Sequence, residues 1–354
     1  MNRHEEALKI FKQGTVIPAN PLALNEERKF NEKGQRLLTN YYLYAGSGGI
    51  AAGVHTTQFE IRLPKYNLYE KVLQTAVEEI EKYEIQSNKT IVRVAGVCGY
   101  TRQAVSEAET AKKLGYDAVL LSPGGLDDLS EQEMIERTKR VAEIIPVIGF
   151  YLQTAVGGRV FSFEYWQQIC EIKGVIGIKC ASFNRYTTLD VMRAAAMSSR
   201  ADELALYTGN DDNIVIDLMT KYQFKVNGNV YEKEFVGGLL GHWSVWTKKA
   251  VELFEMIKAE KKKDTISAEL LTLAEQVTDA NSVLFDTAHN FKGCITGLHE
   301  VLRRQGLMEG IWCLNEEETL SDGQAEEIDR IYRMYPHLND DEFVKCHLEE
   351  WKLK

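Results

Sequence analysis

The chain has 354 residues, with 42 Lys and Arg against 52 Asp and Glu, and its formal net charge at pH 7 is −10. This acidic balance argues against a nucleic-acid partner and against docking on an anionic membrane, because both attract clustered positive charge. Hydrophobic residues make up 44% and charged residues 27% of the chain, which excludes the disordered and fibrous classes of protein.

The first residues are charged, and no apolar run reaches the roughly 18 residues of a membrane span, so neither a secretory signal nor a membrane helix is expected. The six cysteines are far apart and form no CxxC pair: Cys98, Cys170, Cys180, Cys294, Cys313 and Cys346. Scattered cysteines in a chain of this size are typical of reduced thiols. We therefore expect a cytoplasmic protein without a structural zinc site.

Short apolar segments alternate with amphipathic segments along the first two thirds of the chain. An extended segment at 15–24 is followed by a helical pattern at 25–44 and a run of small residues at 46–54. Further strands are predicted at 90–95, 117–121, 146–151, 175–179, 203–207 and 235–240. Helices are predicted between them at 63–86, 102–114, 129–144, 163–172 and 187–198.

Near-continuous apolar strands separated by helices are typical of parallel βα units that are buried on both faces. Eight such units in about 250 residues have the size of a (β/α)8 TIM barrel. We therefore predict a barrel over residues 1–242 and a C-terminal helical extension, residues 243–354, packed on it. An open doubly wound sheet is the alternative.

Lys179 ends the predicted sixth strand, directly after the apolar run Val175-Ile176-Gly177-Ile178. In a barrel of this kind the chemistry lies at the carboxyl ends of the strands. A desolvated amine has a lowered pKa, and its neutral form attacks carbonyl groups to give a Schiff base. A lysine that extends out of the barrel mouth or pairs with an acid is the other interpretation.

Polar groups also end other strands of the predicted barrel. Tyr151 ends the strand before that of Lys179, and a phenol near a forming imine can transfer protons. His55, Thr56 and Thr57 follow the second strand, where hydroxyls and backbone amides suit a carboxylate. The seventh strand runs into Gly209-Asn210-Asp211-Asp212.

These residues resemble the dihydrodipicolinate synthase / N-acetylneuraminate lyase family, the class I aldolases built on a (β/α)8 barrel. The resemblance covers about residues 14 to 310. It rests on Ile17-Pro18-Ala19, Gly53-Val54-His55-Thr56-Thr57, Val94-Ala95-Gly96-Val97, Gly115-Tyr116-Asp117-Ala118-Val119, Ser122-Pro123, Pro146-Val147-Ile148-Gly149-Phe150-Tyr151, Gly174-Val175-Ile176-Gly177-Ile178-Lys179, Gly209-Asn210-Asp211-Asp212 and Phe291-Lys292-Gly293 to Gly306-Leu307.

The resemblance implies that Lys179 attacks the 2-oxo carbon of pyruvate or a related 2-oxo acid, which then reacts with an unknown aldehyde partner. Thr56 and Thr57 would hold the substrate carboxylate, with His55 and Gly209 as further substrate-binding residues, and Tyr151 would transfer protons. The protonated imine is the electron sink, so no metal and no organic cofactor is expected. The family also implies a homo-oligomer, a tetramer or a dimer.

The chain departs from the family pattern at several places. Gln58-Phe59-Glu60 follows the threonine pair, where the family usually has Gly-Glu, and Leu152-Gln153-Thr154 follows Tyr151, where it usually has Asn and Pro. Val156 lies where the synthases carry an arginine, and Gly124-Gly125 replaces tyrosines of the family's proton relay. These losses argue against lysine biosynthesis. Six polar or aromatic residues are candidates for the second-substrate pocket: His55, Gln58, Gln153, Asn184, His242 and Trp243.

Three other functions remain open. The same imine can serve a dehydratase acting on a 2-oxo-3-deoxy sugar acid. A barrel that is catalytically silent would bind a small acid without covalent capture. Gly46-Ser47-Gly48-Gly49-Ile50-Ala51 also fits the GxGxxA motif of dinucleotide-binding proteins, with Glu70 further on, but these glycines run through a strand rather than into a helix.

Overall fold

The structure is a computed structural model that describes residues 2–353. In that range the strands are β1 (Val16–Pro18), β2 (Gly49–Ala52), β3 (Val92–Val97), β4 (Ala118–Leu121), β5 (Val147–Leu152), β6 (Val175–Ala181), β7 (Ala205–Thr208), β8 (Lys221–Val226) and β9 (Asn229–Leu240). The α-helices are α1 (Arg3–Gln13), α2 (Glu32–Ala45), α3 (Tyr69–Ser87), α4 (Thr101–Lys113), α5 (Glu131–Ala142), α6 (Phe163–Glu171), α7 (Arg185–Met197), α8 (Ile214–Met219), α9 (Thr247–Glu260), α10 (Glu269–Leu284), α11 (Cys294–Arg304), α12 (Gln324–Met334) and α13 (Asp341–Lys352).

The chain forms two compact units. The first contains the N-terminal residues up to Thr15 and Val92–Leu239, and the second contains Val16–Ile91 and the residues from Leu240 onwards. The predicted boundary at residue 242, between a barrel and packed helices, is not tested by this grouping and stays a prediction.

In the first unit, parallel strands lie side by side in the order β3, β4, β5, β6, β7 and β9. Each of these strands up to β7 follows the preceding one through a helix, as expected for parallel pairing. Phe150, Lys179 and Tyr207 are register partners on the neighbouring strands β5, β6 and β7, so their side chains share one face of the sheet. The strands are apolar on both faces, because helices cover the face opposite Phe150, Lys179 and Tyr207.

Helix α1, which the sequence did not predict, packs against β3 and β7 of this sheet. Its N-terminus has a capping box, in which Asn2 and Glu5 bond each other's backbone N–H. The ring of Phe11 stacks on that of Tyr207 at 4.5 Å between centroids, and the Tyr207 hydroxyl donates to the Phe11 carbonyl over 2.7 Å. Arg3 anchors the helix to buried Asp117 at 2.7 Å.

Strand β8 forms an antiparallel hairpin with the first half of β9, while the second half of β9 pairs in parallel with β7. The turn between them is Asn227-Gly228, and both residues have positive φ, 51° and 84°. An Asn-Gly pair adopts this turn readily. The side chains of Lys221, Gln223 and Lys225 are exposed on β8.

In the second unit, β1 and β2 run parallel, with Ala19 opposite Ala51. Helix α2 packs against α3, α9 and α13. A buried carboxylate joins these elements: Asp340, before α13, accepts hydrogen bonds from the Tyr41 hydroxyl (2.8 Å), the Lys248 backbone (2.9 Å) and the Gln305 amide (2.8 Å). Burial raises the pKa of Asp340.

The predicted helices and strands agree with the structure apart from their ends. Helix α2 begins at Glu32 rather than at 25, because Leu24 and Phe30 pair across a turn and Asn31 caps the helix. Helix α3 begins at Tyr69 rather than at 63. Between residues 2 and 353 no helix combines the length and the hydropathy of a membrane span.

Candidate functional site

Lys179 lies near the carboxyl end of β6, and its side chain is 8% exposed. Its amine lies 4.5 Å from the centroid of the Phe150 ring, the register partner on β5. An aromatic face attracts the protonated amine but offers it no hydrogen bond. The lysine is therefore held in a nearly dry, mostly apolar environment.

Burial lowers the pKa of Lys179 to about 8, and the negative charge of Asp211 opposes part of this effect. Asp211 follows β7 and is itself buried, with 6% of its surface exposed. About a tenth of the amine is consequently neutral at pH 7, far more than for an ordinary lysine, and a neutral amine is the form that attacks carbonyl groups.

Gly209 provides the space for the lysine side chain. A Cβ at this position would lie 2.6 Å from Lys179 Cε and 2.8 Å from Ala181 Cβ, closer than real side chains approach. The Gly209 N–H donates to the Cys180 carbonyl over 2.7 Å, which fixes the backbone against β6. Only glycine fits here without displacing the lysine.

A fully buried carboxylate, Asp217, fixes the segment that carries Gly209 and Asp211. Asp217 accepts hydrogen bonds from the hydroxyl of Thr208 (2.7 Å) and the amide of Asn210 (2.9 Å), and it pairs with Arg185 at 2.5 Å. The sequence analysis did not single out Asp217, because one Asp in a helix carries no signal of burial.

Asp217→Ala is expected to lower the free energy of unfolding by about 2–4 kcal/mol, because the fully buried Thr208 and Asn210 would lose their hydrogen-bond acceptor. Urea denaturation followed by circular dichroism measures this. Asp264→Ala, at an exposed carboxylate, is the control and is expected to change stability by less than about 0.5 kcal/mol. Equal stabilities of the two variants would contradict the role given to Asp217.

The structure does not bring Tyr151 to Lys179. Tyr151 is the register partner of Cys180, one residue after Lys179, so its side chain points to the opposite face of the sheet. There its ring stacks on Trp166 of α6 at 5.2 Å and contacts Phe161 edge-on at 6.1 Å. The proton-transfer role of Tyr151 stays a prediction that this geometry disfavours, since Phe150 takes the position beside the amine.

The threonine pair lies in the second unit, in a 3-10 turn that spans His55–Thr57 directly after β2. Thr57 is fully buried; its hydroxyl donates to the Asn20 carbonyl over 2.7 Å and its N–H to the Val54 carbonyl over 3.0 Å. Both donors of Thr57 are thus used inside the protein. Thr56 is buried beside it, and the partly exposed ring of His55 lies 5.7 Å from that of Phe59.

Other residues predicted to line a second-substrate pocket have structural partners. Asn184 caps helix α7 by accepting from the backbone of Tyr186 and Thr187. His242 is buried in the second unit, where burial lowers its pKa to about 4 and keeps it neutral. Trp243 is also buried and stacks edge-on with Phe254. Gln153 precedes a short 3-10 turn.

The fold of the whole chain is that of a (β/α)8 barrel with C-terminal helices. A crystal structure of dihydrodipicolinate synthase from Oceanobacillus iheyensis aligns with it at a TM-score of 0.74, with 16% sequence identity, over 95% of this chain and 100% of that one. N-acetylneuraminate lyase from Fusobacterium nucleatum, solved in complex with pyruvate, aligns at 0.69 with 17% identity, over 93% and 99% of the two chains. The predicted fold class is confirmed.

The sequence profile of the dihydrodipicolinate synthetase family matches residues 12–222, more than half of the chain. The chain therefore belongs to that family, as its motifs indicated. A probable 5-dehydro-4-deoxyglucarate dehydratase from Acinetobacter baumannii (strain AB307-0294) is 29% identical over 117 residues, which are 33% of this chain and 36% of the dehydratase.

Proposed function

We propose that this protein is a lyase of the class I aldolase type, in which Lys179 forms a Schiff base with pyruvate or a related 2-oxo acid. The observation that carries the proposal is the buried amine of Lys179, whose pKa of about 8 leaves it partly neutral and nucleophilic. Membership of the family and the pyruvate complex of the similar lyase support a 2-oxo acid as the electrophile.

In the proposed reaction the neutral amine adds to the 2-oxo carbon to give a neutral carbinolamine. The carbinolamine takes up one proton from solvent and loses its hydroxyl as water, which leaves a protonated imine. In the cleavage direction, a base removes the proton of the substrate 4-hydroxyl as the C3–C4 bond breaks. The electron pair of that bond moves into the imine to form an enamine, and the aldehyde leaves. Protonation of the enamine at C3 and hydrolysis then return the 2-oxo acid and free Lys179, so the imine supplies the electron sink without a cofactor.

Asp211 is our candidate for the base. It is the carboxylate whose charge acts on the Lys179 amine, and it is carried on the segment whose glycine packs against the lysine side chain. A carboxylate can accept the hydroxyl proton during cleavage and return it during condensation. Asp211 takes the role that the family resemblance gives to the Tyr151 hydroxyl. The aromatic residue beside the Lys179 amine is Phe150, which has no proton to transfer.

The substrate carboxylate is assigned to the turn His55–Thr57, following the family resemblance. Because the Thr57 hydroxyl already donates to Asn20, the Thr56 hydroxyl is the stronger candidate for a direct bond to the carboxylate. Gly209 acts by leaving room for the lysine and its adduct.

The test is borohydride reduction in the presence of pyruvate, followed by intact-protein and peptide mass spectrometry. A pyruvate-derived adduct on the peptide with Lys179 supports the proposal. No adduct with pyruvate or with a panel of 2-oxo acids would overturn it and favour a barrel that binds a small acid without covalent capture.

A dehydratase acting on a 2-oxo-3-deoxy sugar acid is the second candidate, and the similarity to the Acinetobacter dehydratase favours it. Elimination and aldol cleavage use the same imine and enamine. Product analysis on a panel of sugar acids separates them, because a dehydratase releases water and keeps the carbon chain whole. The cytoplasmic location and the homo-oligomer remain part of the proposal.

Tyr151→Phe is expected to leave the rate of pyruvate trapping within about twofold of the wild type, whereas loss of a true acid–base group costs about a hundredfold or more. The reason is that the Tyr151 ring lies between the sheet and α6, on the face away from Lys179. The rate is measured from the amount of reduced adduct in samples quenched at several reaction times. A loss of two orders of magnitude would restore Tyr151 as the proton-transfer group.

A further inference from the structure

The residue after the threonine pair has an unusual backbone. Gln58 has φ 67° and ψ 122°, a backbone combination that residues other than glycine rarely adopt. Its N–H closes the 3-10 turn by donating to the His55 carbonyl over 2.8 Å. Strained backbone of this kind persists only where the surroundings hold it in place.

The side chain of Gln58 supplies that restraint. It is 1% exposed, and its Oε1 accepts a hydrogen bond of 2.7 Å from the backbone N–H of Leu314. Leu314 belongs to the C-terminal strap, which we define as residues 311–314, between α11 and α12. Gln58 therefore ties the threonine turn to a segment more than 250 positions away, within the same unit.

The C-terminal strap is itself firmly anchored. The Tyr66 hydroxyl donates to the Leu314 carbonyl over 2.8 Å, and Arg28 donates to the Cys313 carbonyl over 2.5 Å. The Leu314 side chain lies in an apolar cluster with Leu22, Leu24, Ile61 and Val72. A hydrogen bond to such a segment can hold a turn still.

Gln58 also carries two local costs in stability. Its backbone is strained, and its buried Nε2 has no hydrogen-bond partner among residues 2–353. A buried donor without a partner costs more free energy than one neutral hydrogen bond returns. Glycine would relieve both costs, but it would leave the buried Leu314 N–H without its acceptor.

We propose that Gln58 is a positioning residue that fixes the Thr56–Thr57 turn against the C-terminal strap, so that the C-terminal region sets the affinity for the 2-oxo acid. This inference rests on the proposed function, in which that turn binds the substrate carboxylate. The link is made by one side-chain acceptor, so a single substitution removes it.

The test compares Gln58→Gly with the wild type and with Asn67→Gly. Asn67 is exposed and also has positive φ, 48°, so its replacement relieves backbone strain without touching the strap. Gln58→Gly is expected to raise the half-saturating pyruvate concentration for trapping on Lys179 by about fivefold to tenfold, and to lower the maximal rate by less. Its Tm is expected to fall, because the buried Leu314 N–H loses its acceptor. A merely structural hydrogen bond would lower the Tm but leave the half-saturating pyruvate concentration unchanged.

Hydrogen exchange provides a readout that does not depend on catalysis. Amides of residues 55–58 and of Leu314 are expected to exchange faster in Gln58→Gly and unchanged in Asn67→Gly. Unchanged exchange in Gln58→Gly would overturn the inference whether or not the wild type traps pyruvate. Faster exchange with an unchanged half-saturating concentration would overturn it too, whereas faster exchange without trapping in the wild type would overturn the proposed function alone.

Discussion

Lys179→Ala is expected to reduce the borohydride-trapped pyruvate adduct to less than about 1% of the wild-type amount, because the nucleophile is removed. Lys179→Arg is the matched variant: it keeps a positive charge near Asp211 and Phe150, but a guanidinium is not neutral at any working pH. Both variants are expected to give no adduct, and peptide mass spectrometry locates any that remains.

Lys233 offers a control for this experiment. Burial also lowers the pKa of Lys233, which lies on β9 and donates to the Ala201 carbonyl. If a lowered pKa were sufficient for trapping, Lys233 would react as well. Lys233→Ala is expected to trap as the wild type does, and an adduct that survives in Lys179→Ala but disappears in Lys233→Ala would refute the assignment.

The rate of trapping is expected to rise about tenfold per pH unit below pH 8 and to level off above it. The sign follows from the amine: at pH values below its pKa of about 8, Lys179 is mostly protonated and cannot attack. Raising the pH through 8 releases the neutral form. An unperturbed lysine would instead keep gaining rate up to about pH 10.4.

Asp211→Asn separates the two roles given to this carboxylate. Because its negative charge favours the protonated amine, its removal is expected to move the midpoint of the pH profile to lower pH. Trapping of pyruvate persists, while cleavage of an aldol substrate falls by about a hundredfold or more if Asp211 is the base. A midpoint that moves to higher pH would contradict the electrostatic role, and undiminished cleavage would contradict the catalytic one.

The repeat of strands and helices was predictable because buried parallel strands are apolar runs and the helices between them are amphipathic. The β8–β9 hairpin was missed, although Asn227-Gly228 between two alternating segments is a hairpin signal. Its strands are polar and partly exposed, so they lack the apolar run that marked the others. Helix α1 was not predictable because it is mostly polar and buries only Ala7 and Phe11.

The candidate site was predictable in part. Lys179 was singled out because a charged residue after four apolar ones is costly to bury. The orientation of Tyr151 was not predictable, since Phe150 and Tyr151 are adjacent in a strand that is buried on both faces and shows no alternation. A shift of one residue exchanges the two faces, and only the register with Lys179 and Cys180 decides between them.

The contacts of the threonine turn lay beyond sequence reasoning for another reason. The bond from Thr57 to Asn20 and the bond from Leu314 to Gln58 join segments that are distant in the chain. No local sequence pattern predicts contacts between such distant residues. Gln58 departs from the glycine that the family usually has there, but this departure predicted a pocket residue and not the bond to Leu314.

The hairpin of β8 and β9 has a consequence for how this protein behaves at high concentration. Within residues 2–353, β8 pairs only with β9, so its other edge has no strand partner. Open edges invite strands from other molecules, and charged side chains on an edge strand discourage them. Lys221 and Lys225 occupy alternate exposed positions on β8. Neutralising these two lysines is therefore expected to increase edge-to-edge aggregation, which light scattering at high protein concentration measures.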